Sequence, residues 1–138
     1  MEVVINHLGD VQFEVKARNH TLYCDQPVEA GGYDEGMTPP EFFLASLGAC
    51  AGYYAAQYIK GHKLNPTGLR VRVKAEKAKA PARLDDLRIH VEYPEALDER
   101  HREGLLRAVH ACLIHNTLLA PPKMTTEIVA PRALASAA

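Results

Sequence analysis

Two cysteines stand in surroundings that make them candidates for thiol chemistry. Cys50 closes the run Thr38-Pro39-Pro40-Glu41-Phe42-Phe43-Leu44-Ala45-Ser46-Leu47-Gly48-Ala49-Cys50, and Cys112 lies in Ala111-Cys112-Leu113-Ile114-His115-Asn116-Thr117-Leu118. A thiolate is a nucleophile and two thiols can close into a disulfide, so the pair reads as a buried redox couple. Burial alone raises a thiol's pKa and makes it inert. A reactive Cys50 therefore needs an arginine, a histidine or a second helix end aimed at it. Without such a partner both residues are plain core cysteines, a common place for free thiols.

The elements that must hold these residues follow from local pattern. Thr38 is a candidate N-cap, Pro39 and Pro40 fall in a first turn where a missing N–H costs nothing, and Glu41 completes capping-box spacing. A helix from there to about Gly61 places Cys50 some three turns inside, away from the positive end of the dipole. No charged residue occurs between Glu41 and Lys60, so the helix is apolar nearly all round and belongs in a core. Ala45, Gly48, Ala49, Gly52, Ala55 and Ala56 form a small-residue groove along it, and Gly48-x-x-x-Gly52 offers a surface on which two such helices could touch closely.

Upstream, residues 3–8, 11–17 and 20–24 are short, partly alternating apolar runs separated by Gly9-Asp10 and Arg18-Asn19, which predicts a small antiparallel sheet. Residues 25–38 form a loop long enough to suspect a role. Downstream, 69–76 and 87–93 alternate strictly and predict a hairpin with a loose loop over 77–86. Residues 97–115 read as one amphipathic helix with Cys112 near its C-terminal end. Residues 124–129 read as a last short strand, and 131–138 as a frayed or extended tail.

The chain has 138 residues, 47% of them hydrophobic, which suits a single domain over 1–138. Sixteen basic and seventeen acidic residues leave a net charge of −1 without a long basic run, so neither nucleic acid nor an anionic membrane is an expected partner. The first eight residues lack the charged and apolar regions of a signal peptide, which points to the cytoplasm. Residues 42–59 are uncharged but diluted by Ser46, Gly48, Gly52, Gln57 and tyrosines, against a membrane span. Three cysteines in a reducing compartment do not make a disulfide scaffold.

Thr-Pro-x-Glu-x-x-Leu-Ala-x-Leu-x-Ala-Cys, followed by Cys-x-x-x-Asn-Thr-Leu and then Pro-Pro-x-Met, resembles the OsmC/Ohr family of thiol-dependent hydroperoxide reductases. The stretch from Val15 to Pro27 with its Asp25-Gln26-Pro27, and Gly31-Gly32-Tyr33-Asp34-Glu35-Gly36, look like the OsmC-like branch. The resemblance spans nearly the whole chain. It implies an α+β OsmC-like fold, with curved antiparallel sheets packed on two central helices, and an intertwined homodimer with sites at the subunit interface. It also implies that Cys50 attacks a hydroperoxide, that Cys112 is its disulfide partner, and that a dithiol reductant restores the pair with no metal or organic cofactor.

Local electrostatics agree on the roles, because a cysteine at a helix C-terminal end is the poorer nucleophile. Arg18 is the best available cation for a Cys50 thiolate, lying where the family carries a thiolate-stabilising arginine; the alternative is a solvated turn residue. Glu41 is a candidate for orienting that arginine. The peroxidase branch most often has this glutamate one residue further upstream, where this chain has Pro40, and Glu41 otherwise caps its helix. Cys24 reads as packing, and the seven histidines do not reach zinc-site spacing with the cysteines. Two further readings stand beside the peroxidase: a non-catalytic binder of small hydrophobic or thiol ligands at the pocket near Cys50, and a dimeric scaffold with silent cysteines.

Overall fold

The computed structural model describes residues 1–129 and shows two separate antiparallel sheets and three helices, an α+β architecture. Strands β1 (Val4–Gly9), β2 (Gln12–Ala17) and β3 (His20–Cys24) form the first sheet in the order β1-β2-β3. Both connections are two-residue turns, and Asp10 (φ 45°) and Arg18 (φ 55°) take the left-handed conformation that such turns demand. Aspartate accepts this readily; arginine does so at some cost.

The following loop is held by one carboxylate. Asp25 is fully buried and accepts the backbone N–H groups of Gln26 (2.8 Å), Tyr33 (3.1 Å) and Glu35 (3.2 Å), with the Gln12 side-chain amide at 3.4 Å. Burial would raise its pKa, but these four donors together bring it below the usual carboxylate value. Gly32 is required here because a side chain would collide with the Gln26 carbonyl.

Helix α1 (Pro39–Gly61) begins as its sequence predicts: one Glu41 oxygen accepts both the Thr38 N–H and the Thr38 hydroxyl at 2.8 Å. Its buried stripe is Leu47, Ala51, Ala55 and Ile59, one residue per turn. The small-residue groove receives a strand and not a second helix. A Cβ at Gly48 would stand 3.0 Å from Val73 Cγ2, and one at Gly52 would stand 3.5 Å from Val71 Cγ2. Both valines belong to β4 (Arg70–Lys79), which pairs with β5 (Ala82–Glu92). The expected helix-to-helix contact at Gly48-x-x-x-Gly52 is thereby corrected: the groove is used within one chain.

The second hairpin is longer than its alternation suggests. Lys77, Ala78 and Lys79 pair with Leu84, Arg83 and Ala82, so the expected loose loop is mostly ladder beyond a register shift at Lys74/Glu76. Helix α2 (Glu99–His110), capped by Asp98 on the His101 N–H at 2.8 Å, completes the layer. Ala51, Ala55 and Ile59 meet Leu105 and Val109, flanked by Val71, Ile89 and Val91. Gly104 leaves room for the Tyr58 ring between α1 and α2.

Two expectations fail downstream. The single helix over 97–115 breaks at Ala111 and a new one, α3 (Leu113–Leu119), follows. Residues 124–129 form no strand and join neither sheet, and Met124, Ile128 and Val129 are exposed. The predicted tail over 131–138 lies outside the described residues. No helix among the described residues is long and apolar enough to cross a membrane.

Candidate functional site

The break between α2 and α3 builds the site. The Ala111 and Cys112 N–H groups turn back to Arg107, Ala108 and Val109 carbonyls and close α2, while Cys112 takes an extended conformation (φ −56°, ψ 128°) as N-cap of α3. Cys112 is therefore at the start of a helix, and its assignment to a C-terminal end is corrected. A helix C-terminus is not what makes it the poorer nucleophile. No glycine, proline or strong capping residue lies between Leu105 and Leu113, so composition carried no signal of the break.

The consequence for Cys50 is the second helix end that its sequence context required. The half-buried Cys50 thiol faces that of Cys112, and the first amides of α3, on Ile114 and Leu113, point at its sulfur. Burial would push the Cys50 thiol up. The proton offered by Cys112 and the two amides outweigh that effect and hold its pKa below the ordinary cysteine value. Cys112 moves the other way: full burial and the neighbouring Cys50 push its thiol up, against weaker help from the His115 and Ile114 amides. The pair therefore ionises on Cys50 and keeps its proton on Cys112. Both are free thiols.

Beside the pair runs a groove of about 460 Å³ lined by Tyr54, Ala111, Leu113, Asn116, Thr117 and Ala120. Tyr54 stands one turn beyond Cys50 on α1, and Ala111 and Leu113 flank Cys112, so the groove runs along α3 next to the pair without either thiol in its lining.

The remaining candidate residues lie elsewhere. Arg18 is exposed at the tip of the β2–β3 hairpin and is absent from the groups that set the ionisation of Cys50 within the chain. Glu41 is occupied by the cap of α1; the Thr38 N–H and hydroxyl, with the charge of Lys77, hold its carboxyl below the usual range. Cys24 is buried at the end of β3 and its thiol is pushed up by burial and by Asp25, which is the behaviour of an inert packing residue. It floors an apolar groove of about 410 Å³ with Ile5, Phe13, Val15, Pro39 and Phe42. Among the described residues no three histidine, cysteine or acidic side chains gather as a metal site.

The fold has solved counterparts. A Psychrobacter arcticus protein named for osmotic stress induction and detoxification response superposes with a TM-score of 0.76 at 18% identity, covering 83% of this chain and 85% of that one. An OsmC like protein of Mycoplasma pneumoniae gives 0.72 at 18% identity, covering 87% of each chain. An organic hydroperoxide resistance protein OsmC from Legionella pneumophila gives 0.64 at 18% identity, covering 86% and 89%. No curated protein sequence matches the chain. The family model described as OsmC-like protein matches residues 32–127, from the loop before α1 through both cysteines, and the chain belongs to the OsmC-like protein family.

Proposed function

We propose that this protein is a homodimeric thiol peroxidase that reduces organic hydroperoxides as part of oxidative and osmotic stress defence. The observation that carries the reading is the asymmetric pair: a Cys50 thiol with a lowered pKa facing a buried Cys112 that keeps its proton. The Cys50 thiolate attacks the terminal peroxide oxygen and the O–O bond breaks. The alkoxide leaves and takes a proton as alcohol, and Cys50 becomes a sulfenic acid. Cys112 then displaces hydroxide from that sulfur to form the Cys50–Cys112 disulfide and water, and a dithiol reductant exchanges the pair back to thiols. These steps call on no metal or organic cofactor. A reducing cytoplasm would supply the dithiol.

The groove along Tyr54 and α3 gives the organic part of a hydroperoxide somewhere to lie. Support for a dimer is independent of the cysteines. Val4, Ile5, Leu8, Leu22 and Tyr23 of the first sheet are all exposed, an apolar surface that three short strands need a partner to cover. Arg18, which takes no part in the ionisation of the thiols of its own chain, would then serve the Cys50 of a second copy, with Glu41 left as a cap. The names of solved relatives agree, since the Legionella protein is called an organic hydroperoxide resistance protein.

Stopped-flow mixing of the reduced protein with cumene hydroperoxide and with hydrogen peroxide, followed by non-reducing mass spectrometry, tests the reading. Faster consumption of the organic peroxide with a Cys50–Cys112 bridge is expected. Thiols that stay free, or a bridge through Cys24, would overturn the mechanism and leave a ligand-binding protein.

A further inference from the structure

Helix α2 and strand β5 both lie against α1, and the packing leaves a trough of about 280 Å³ between them. Its floor is the edge of the core. Leu105 and Val109, buried against Ala51, Ala55 and Ile59, close the bottom, while Ile89 and Val91, two apart on β5 and therefore on one face of the hairpin, form a wall. The other wall is mixed. Arg102, Leu106 and His110 recur every fourth residue of α2, so they stand in one row, with the guanidinium at one end, the imidazole at the other and an apolar side chain between. Leu106 is 54% exposed there.

That row sets what can lie in the trough. Arg102 carries a permanent charge, makes no ion pair among the described residues, and shares the described lining with no acidic side chain that would neutralise it. The acids next to the lining in sequence are taken: Glu103 pairs with Arg107, and Glu92 with Arg72. Eight helical positions separate Arg102 from His110, about 12 Å along α2, so an occupant that spans the row is long, narrow and apolar with an anionic head. We propose that the trough binds an aliphatic monocarboxylate of medium chain length, its carboxylate on the Arg102 guanidinium and its hydrocarbon body over Leu105, Leu106 and Val109 toward His110. The guanidinium fork matches both carboxylate oxygens, and the chain covers the apolar surface that Leu106 leaves in water. A trough close to the lower size limit of ligand pockets, about 300 Å³, suits a ligand this small. Neither thiol lines it, so the site stands whether or not the cysteine pair reduces peroxides.

Three probes of one chain length separate charge from apolar contact. The reduced wild-type protein is titrated with octanoate, octanol and octylammonium, and methyl-resolved NMR reads both the place and the affinity. Octanoate is expected to shift the methyls of Ile89, Val91, Leu105, Leu106 and Val109 saturably and to bind about tenfold more tightly than octanol, with octylammonium weakest. Arg102→Gln should weaken octanoate about tenfold and leave octanol unchanged, and Arg102→Glu should reverse the order of octanoate and octylammonium. Equal affinity for octanoate and octanol, or octanoate binding that Arg102→Gln leaves as it was, overturns the proposal, because the trough then has no preference for an anion. Shifts centred on Ile5, Phe13 and Phe42 overturn it too. So does a Leu106 methyl shielded from a soluble paramagnetic probe in the ligand-free protein, since a second copy then occupies the trough. Should either variant fail to fold, the wild-type ranking of the three probes decides.

Discussion

The layer made by α1, α2 and the β4–β5 hairpin closes on itself, whereas the sheet β1–β3 does not. In the layer, Ala51, Ala55 and Ile59 have no accessible surface and are covered by apolar residues of both β4–β5 and α2. In the sheet, Ile5 and Leu22 are each 54% exposed, and Val4, Leu8 and Tyr23 are exposed too. What ties the sheet to the rest is local: the Cys24–Met37 bridge, the donors gathered on Asp25, and the edge of the groove at Pro39 and Phe42. One chain thus contains one complete core and one unfinished one. A sheet of three short strands with apolar residues in water calls for a second surface, and a second copy is the partner proposed for it.

Damage should be greatest in the finished core. Ile59→Ala should cost about 2–5 kcal/mol in chemical denaturation, the usual range for truncating a fully buried large aliphatic residue. A loss within the noise of a surface substitution would mean that the layer is not the stabilising unit. The combined Ile5→Ser and Leu22→Ser variant is the mirror experiment. It should turn a dimer into a monomer in sedimentation at micromolar concentration while the far-ultraviolet spectrum of the layer persists. A wild-type monomer at that concentration would show that the sheet needs no second surface.

The link between the regions is the next in size. Asp25→Ala should lower the melting temperature by roughly 10 °C, since several buried N–H groups lose their acceptor together. Its pH dependence has a definite sign. The carboxyl's pKa is lower folded than unfolded, so its stabilisation is full above the unfolded value of about 3.9 and disappears as pH falls through the folded value. The protection factors of the Tyr33 and Glu35 amides, corrected for intrinsic exchange, should therefore fall on acidification, and Asp25→Asn should remove that dependence.

Arg18→Ala probes what the unfinished sheet contributes to a neighbouring copy. If Arg18 serves that copy, the variant should raise the Cys50 pKa and slow peroxide reduction about tenfold in the dimer, while the monomeric sheet variant should show no further effect. A pH–rate profile left unchanged would make Arg18 a turn residue only. Glu41→Gln should matter least. Glutamine still completes the cap, so the melting temperature should move by about 2 °C at most, with turnover retained.

Patterns of short range are legible in the residues themselves. The Thr38–Glu41 cap, the alternation of β4 and β5, the turns at Gly9-Asp10 and Arg18-Asn19, and the apolar stripe of α1 each depend on neighbours within a turn or a hairpin, and they appear where the residues place them. The pairing of two cysteines 62 positions apart came from family resemblance and not from spacing. The electrostatics of that pair arise from tertiary packing. Whether 97–115 continues as one helix or breaks at Ala111 turns on packing against α1, because its composition suits a helix throughout. The break reverses the setting of Cys112 and turns two amides toward Cys50. Likewise Gly48 and Gly52 announced a close approach, but that it is made by Val73 and Val71 of β4 is a matter of topology. Local sequence set the geometry of the elements and the presence of two thiols; long-range packing set which thiol is acidic, because ionisation depends on donors that come from elsewhere in the chain.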